Sequence, residues 1–332
     1  MLGSLLPMAA DKVLGALSVV PFVVGTVIGP GLAPTATGHQ VLVFQDPQIV
    51  EASALVVRDG LFETTNDSGD VGRVFTVDGS GRTVGVTYWN PDAVDVEALA
   101  PAGRGHVWVG DIGDNRSVRS SVQVARIPVG RGTRTVEPTT YDLVYPDGAH
   151  DAETLLSDPT SGRLYVATKG FLGGMLYEAP QRLRADASNR LTPIADVGAI
   201  VTDGSFFPDG RHLILRDYDS ATVYEFPSMR QLGTFDLPDQ QQGEGVAVDE
   251  AGRVYIDSEG QVSPILRVDL PRSVRAAVFS AATPAVQDAA VTPSGPQELS
   301  PGFGIDGWGV WVFWGFLFTG MVVVLVRALK PK

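Results

Sequence analysis

Between positions 51 and 279 the chain repeats one four-part pattern five times, and that repeat limits the fold more than any other feature. Each unit opens on an acidic residue in a small-residue, then apolar, context: Glu51 in VEASALVV, Glu97 in DVEALA, Glu153 in DAETLLSD, Asp203 in TDGSFFPD and Glu244 in GEGVAVDE. A Gly-bearing turn follows, ending at Gly60, Gly105, Gly162, Gly210 and Gly252. Then come a second run (LFETT, HVWVG, RLYVAT, HLILR, RVYID) and a third (GRVFTVD, VQVARIPV, GMLYEAP, ATVYEFP, PILRVDL). A more variable fourth closes each unit (TVGVTYW, TYDLVYP, LTPIADV, QLGTFDLP, SVRAAVF). Short runs rich in β-branched and aromatic residues, bounded by Gly, Asp and Pro, read as strands. Four strands renewed every roughly forty to fifty-odd residues is the pattern of a propeller blade. The expected fold is therefore all-β, a β-propeller of five or six four-stranded blades, with residues 39–44 pairing with late strands. A β-sandwich would not repeat in fours with the same turn after the first strand.

The two ends of the chain read differently. Residues 307–326, GWGVWVFWGFLFTGMVVVLV, are twenty positions without a charge. At 1.5 Å rise per residue such a helix spans a hydrocarbon core of about 30 Å. Trp308, Trp311 and Trp314 crowd its first half, Asp306 precedes it, and Arg327, Lys330 and Lys332 follow. The positive-inside rule then puts the tail 327–332 in the cytoplasm and everything before the helix outside. A buried core helix is the competing reading, and the charge asymmetry argues against it. Residues 1–38 are expected to be a signal peptide cleaved near Ala36-Thr37-Gly38, or an uncleaved first membrane segment. Both place the middle of the chain outside. Residues 281–304, rich in Ala, Pro, Ser and Gly, read as a flexible stalk. The expected order is thus leader 1–38, propeller 39–280, stalk 281–304, transmembrane helix 305–326 and basic tail.

A net charge of −13 would repel backbone phosphates, which excludes a general nucleic-acid binder. The absence of Cys excludes disulfides, thiolate catalysis and cysteine-bound metal centres. No G-x-S-x-G elbow, P-loop or H-E-x-x-H motif occurs.

The segments VEASALVV, TTNDSGD, GDIGDN, YPDGAHDAETLL, LYVATKG, QGEGVAVD and DSEG resemble an actinobacterial family of exported, membrane-anchored propellers of poorly defined function. More distantly the pattern is similar to six-bladed lactonases and calcium-dependent phytases. Their catalytic residues find no one-to-one match here, so the resemblance implies a fold and carries over no activity.

The first strand of a propeller blade lines the central channel, so Glu51, Glu97, Glu153, Asp203 and Glu244 are expected around one mouth. Carboxylates that converge repel each other unless a cation or basic side chains neutralise them. Such a ring would suit Ca²⁺ or Mg²⁺, which take oxygen ligands; alternatively each acid accepts backbone N–H groups. A second set follows the second strands: Asn66, Asp67 and Asp70, then Asp111, Asp114 and Asn115, then Lys169, Arg216 and Asp217, then Asp257 and Glu259. These are candidate ligand-binding residues, although Asn66-Asp67-Ser68-Gly69 and Gly113-Asp114-Asn115 also suit simple Asx turns. Lys169 and Arg216 would neutralise the acidic ring without a metal, or grip an anionic substrate. Neither motif has the twelve-residue spacing of an EF-hand. His150 with Asp151, and Lys169 nearby, are the candidate catalytic groups, although adjacent residues of an extended segment face opposite sides. His106 and His212 are expected at the surface. The favoured function is a membrane-tethered, extracytoplasmic platform that binds a protein or glycan. A Ca²⁺-dependent hydrolase and a structural subunit of a membrane assembly are the alternatives.

Overall fold

The computed structural model describes residues 33–67, 69–89 and 93–279. Residues 1–32 of the expected leader 1–38, the stalk 281–304 and the apolar segment 305–326 lie outside the described residues, whereas Thr37 and Gly38 already belong to the first strand. Among those described, no helix is long and apolar enough to cross a membrane.

Five sheets form, one per repeat. The first contains β2 (Ala52–Arg58), β3 (Leu61–Asn66), β4 (Arg73–Asp78) and β5 (Thr83–Trp89). The second contains β6 (Val96–Pro101), β7 (His106–Asp111), β8 (Val122–Pro128) and β10 (Thr140–Val144). The third contains β11 (Ala152–Ser157), β12 (Leu164–Thr168), β13 (Gly174–Glu178) and β15 (Thr192–Val197). The fourth contains β16 (Asp203–Phe206), β17 (His212–Arg216), β18 (Ser220–Glu225) and β19 (Arg230–Asp236). The fifth is β20 (Gly243–Val248), β21 (Val254–Ser258), β22 (Pro264–Asp269) and, from the start of the fold, β1 (Thr37–Val43). Each first strand packs against the first strands of both neighbouring sheets, so β2, β6, β11, β16 and β20 close a ring around the channel. The five turn glycines have φ between 64° and 75°, the left-handed region that admits Gly without a Cβ penalty.

Of the five or six blades expected, five form. Residues near 39–44 do pair with a late strand, but β1 completes the fifth blade and builds no sixth. Its partner β22 therefore has its outer edge covered, and SVRAAVF, expected as a fourth strand, is a helix, α1 (Arg272–Phe279). Val274 and Val278, four residues apart, are the buried positions of that helix. Helical spacing thus overrides the β-branched composition. Two further strands were not anticipated. β9 (Gly132–Val136) runs parallel to β5, and β14 (Asn189–Arg190) runs parallel to β10, so each latches onto the rim of the preceding blade. The core lies between the blades. Phe44, Ile49, Phe75, Leu99, Ile127, Phe207 and Phe235 are almost fully buried there.

Candidate functional site

One feature of the first strands aims the acidic residues. The ladders of β2, β6, β11 and β20 with their second strands each slip near the start, at Ala52/Ala54, Val96/Ala98, Ala152/Thr154 and Gly243/Val246. A residue left unpaired by a bulge turns its side chain out of the ladder. Those residues are Ser53, Glu97, Glu153 and, with Gly245, Glu244. Glu97, Glu153 and Glu244 are buried at 6–8% exposure, and the charge of Glu153 acts on both of the others. The other two expected ring members stand apart. Glu51 is exposed, and Ser53 takes the bulge position of its blade. Asp203 is fully buried in a ladder without a slip, where one carboxylate oxygen accepts the Val246 N–H at 2.8 Å.

The mouth is completed by Asp67 and Asp95. Carboxylate oxygens of Asp67, Asp95 and Glu97 lie within 4.8 Å of one another, a set that could hold a metal ion. Gly113 permits this approach: a Cβ there would stand 2.4 Å from Asp95 Oδ2 and 2.8 Å from Glu97 Cγ. Burial first, then the charges of Asp67, Glu153 and Asp95, push the Glu97 carboxyl up to about 11, and its hydrogen bond with Asp67 acts in the same direction. Glu97 therefore keeps its proton at neutral pH when no cation is bound. Burial, with the charge of Glu153, raises Glu244 to about 8. Glu259 is raised by burial and by Asp67 and Glu51, and Asp95 by burial and by Asp67 and Asp151. Lys169 is the basic side chain that reaches this group. Its ammonium pairs with Glu153 and donates to the Tyr218 hydroxyl at 2.9 Å. Burial still outweighs that pairing and lifts Glu153 to about 7, while its Oε2 stays buried without a partner.

The remaining candidates hold loops in place. Asn66 accepts the Val50 and Glu51 N–H groups and donates to Gln48 O and to Asp70, which in turn binds Arg73. Asp111 accepts the N–H groups of Val94 and Asp95 and one Arg119 contact at 2.8 Å, which positions the Asp95 backbone. Asp114 accepts the Arg119 N–H, and Asp217 caps its turn by accepting the Asp219 and Ser220 N–H groups. Asn115 is exposed. Asp257 accepts the Gly245 N–H at 2.7 Å. Arg216, 1% exposed, donates to the carbonyls of Asp217, Tyr218, Gly245 and Asp257 and to Gln240. It braces the channel wall and does not pair with the ring.

His150 and Asp151 do not form a pair. The Asp151 carboxylate accepts the Asp114 N–H at 2.8 Å, whereas His150 Nε2 lies 3.1 Å from Asp147 and 3.2 Å from the Tyr177 hydroxyl. The imidazole also packs edge-on against Tyr145. His106 contacts the Arg104 carbonyl at the opposite turn, but His212, expected at the surface, is buried, with Nδ1 2.7 Å from Asp209. The residue that sequence reasoning missed is Asp95. Its signal was present in Asp95-Val96-Glu97, because residues two apart in an extended segment share a face.

At the other end of the channel the first strands end around a cavity of about 430 Å³, lined by Val57, Pro101, Trp108, Phe206 and Val248 with Arg58 at its edge. Arg58 pairs with Glu250 there and donates to Gly103 O.

No family model matches the sequence, and no curated protein matches it. Among solved structures, a glutaminyl cyclase from Myxococcus xanthus superposes with a TM-score of 0.46 at 12% identity, over 71% of this chain and 97% of its own. An oxidoreductase described as a glucose dehydrogenase, from Thermus thermophilus, superposes with a TM-score of 0.40 at 14% identity, over 70% of this chain and all of its own.

Proposed function

We propose that the protein is a binding platform on the outer side of a membrane, anchored by residues 305–326, and that the acidic mouth of the propeller channel receives a positively charged ligand. One observation carries this reading. Asp67, Asp95, Glu97, Glu153, Glu244 and Glu259 are gathered at one end of the channel, and Lys169 pairs with one of them, Glu153. Several of these groups hold protons well above the ordinary carboxylate range, which means that the mouth is short of positive charge. A ligand that supplies that charge gains Coulomb energy in a partly desolvated site. The chain holds no catalytic motif that would favour an enzyme over a binder. The test is protease treatment of intact cells that express the full chain. Digestion of the propeller with retention of a membrane-bound C-terminal fragment is expected, and a propeller protected until lysis would sink the extracytoplasmic assignment.

A second reading, a Ca²⁺-dependent hydrolase, draws on the Asp67, Asp95 and Glu97 oxygens. Ca²⁺ accepts such carboxylates, and binding would displace the Glu97 proton, so affinity should rise with pH. Calcium titration of the chelated full chain, followed by thermal melting, separates the two. A melting increase that Glu97→Gln abolishes favours the metal site; no increase leaves the platform alone.

A further inference from the structure

The exposed apolar side chains are not scattered. Nine large ones are exposed among the described residues, and six of them, Val71, Val94, Val118, Phe171, Leu172 and Val262, lie on the face that carries the acidic mouth. Five of the six occupy one structural position, the loop between second and third strands, in four different blades. Val71 lies between β3 and β4, Val118 between β7 and β8, Phe171 and Leu172 between β12 and β13, and Val262 between β21 and β22. Isolated exposed valines need no explanation, but a ring of them at equivalent loop tips around a charged centre is an interaction pattern. The β12–β13 loop is the clearest case. Gly170 O accepts the N–H groups of Gly173 and Ile200, so the turn is fixed while Phe171 and Leu172 stand 70% and 95% exposed. The neighbouring residue is Lys169, whose ammonium is turned inward onto Glu153.

We infer that this face docks a segment of another protein in which a Lys or Arg side chain is flanked by apolar residues. The cationic group enters the acidic mouth and the flanking side chains pack on the loop tips. This inference rests on the platform reading above and names its partner. Charge complementarity selects the occupant. An anionic membrane surface would be repelled by the carboxylates at the centre of the same face. A second copy of this chain, at a net charge of −13, would bring like charge to like. An uncharged glycan would leave the mouth unneutralised. An arginine fits best, because its planar fork satisfies two carboxylates at once.

The experiment uses the full chain in detergent micelles and four fluorescent peptides, read by polarisation. The first carries arginine between leucine and valine residues; the second replaces arginine by citrulline, the third by glutamate. The fourth keeps arginine between serines. The first is expected to bind about tenfold or more tighter than each of the others, and to weaken with added salt. The double substitution Phe171→Ser with Leu172→Ser, at exposed positions that leave melting unchanged, is expected to cost about tenfold in that affinity. Equal binding of all four peptides, absence of binding, or affinity untouched by the double substitution would overturn the inference. So would binding of the full chain in micelles to phosphatidylserine vesicles that the double substitution abolishes. Cross-linking on intact cells separates this from the platform itself. A cross-linked product that survives the double substitution removes the inference and keeps the platform, whereas no product from either chain removes both.

Discussion

Arg216 and Asp257 lie side by side in the channel wall, yet the guanidinium donates to the Asp257 backbone carbonyl, at 3.3 Å, and not to its carboxylate. That carboxylate instead accepts the Gly245 N–H, and both side chains are essentially inaccessible. Arg216 thereby joins the second strand of one blade to the first and second strands of the next. Arg216→Met would remove the guanidinium donor from the carbonyls of Gly245, Asp257 and Tyr218. A loss of about 3 kcal/mol or more is expected from urea unfolding. Arg216→Lys should recover only part of it, because an ammonium cannot span the same set of acceptors.

The raised carboxyls fix the sign of the pH dependence. Glu63 and Glu244 titrate near 8, and Glu153 and Asp257 near 7, each because burial penalises the charged form. In the unfolded chain all four lose their protons near the ordinary values of about 4 to 4.5. Between those values and pH 8 the native state therefore holds more protons, and stability falls as pH rises. The unfolding free energy from urea titration should be higher at pH 5 than at pH 8, by an amount on the order of several kcal/mol in total, and the midpoint should be higher with it. Glu63→Gln, at a buried site where one carboxyl oxygen has no partner, should flatten the fall. A midpoint that rises from pH 5 to pH 8 would contradict this account.

Much of the fold was legible in residues such as Gly60, Gly105, Gly162, Gly210 and Gly252, because a left-handed turn after each first strand admits few alternatives. The inner strands were legible for the same local reason. What escaped was decided by distant partners. Residues 273–279 look like a strand until β1 occupies the edge they would have taken. β9 and β14 gain their strand character only from the rim of another blade. At the mouth, the repeat aligned Glu51 with Glu97 and Glu153, but the bulge that turns a side chain inward falls on Ser53 in that blade. Bulge placement depends on cross-strand register, which single-strand patterns do not encode.

Gly113 sets how closely Asp95 and Glu97 approach. Its neighbourhood leaves no room for a methyl group, since the nearest carboxylate oxygen would stand 2.4 Å from a Cβ. Gly113→Ala should cost about 1–3 kcal/mol as the two acids are forced apart. The same substitution should also reduce any Ca²⁺-dependent rise in melting temperature. Wild-type stability in this variant would mean that the acidic cluster is looser than its geometry indicates.

Ring closure depends on β1, which precedes the first repeat and completes the last sheet. It pairs with β22 from Thr37 to Val43, with Leu42 buried beneath it, and Ala36 bonds to Asp236 of the preceding blade. Gly38 lies against Pro238 and Leu266; an added Cβ would stand 2.7 Å from the proline ring. Gly38→Val should therefore lift β1 from the sheet and leave the β22 edge open, with its N–H and C=O groups free to pair with another chain. The expected result is a lower melting temperature together with concentration-dependent oligomers in size-exclusion chromatography. Substituting exposed Val41 by Thr on the same strand should do neither, since its side chain is 40% accessible. If Gly38→Val elutes and melts like the wild type, the closing strand contributes little, and the inter-blade latches β9 and β14 must hold the ring instead.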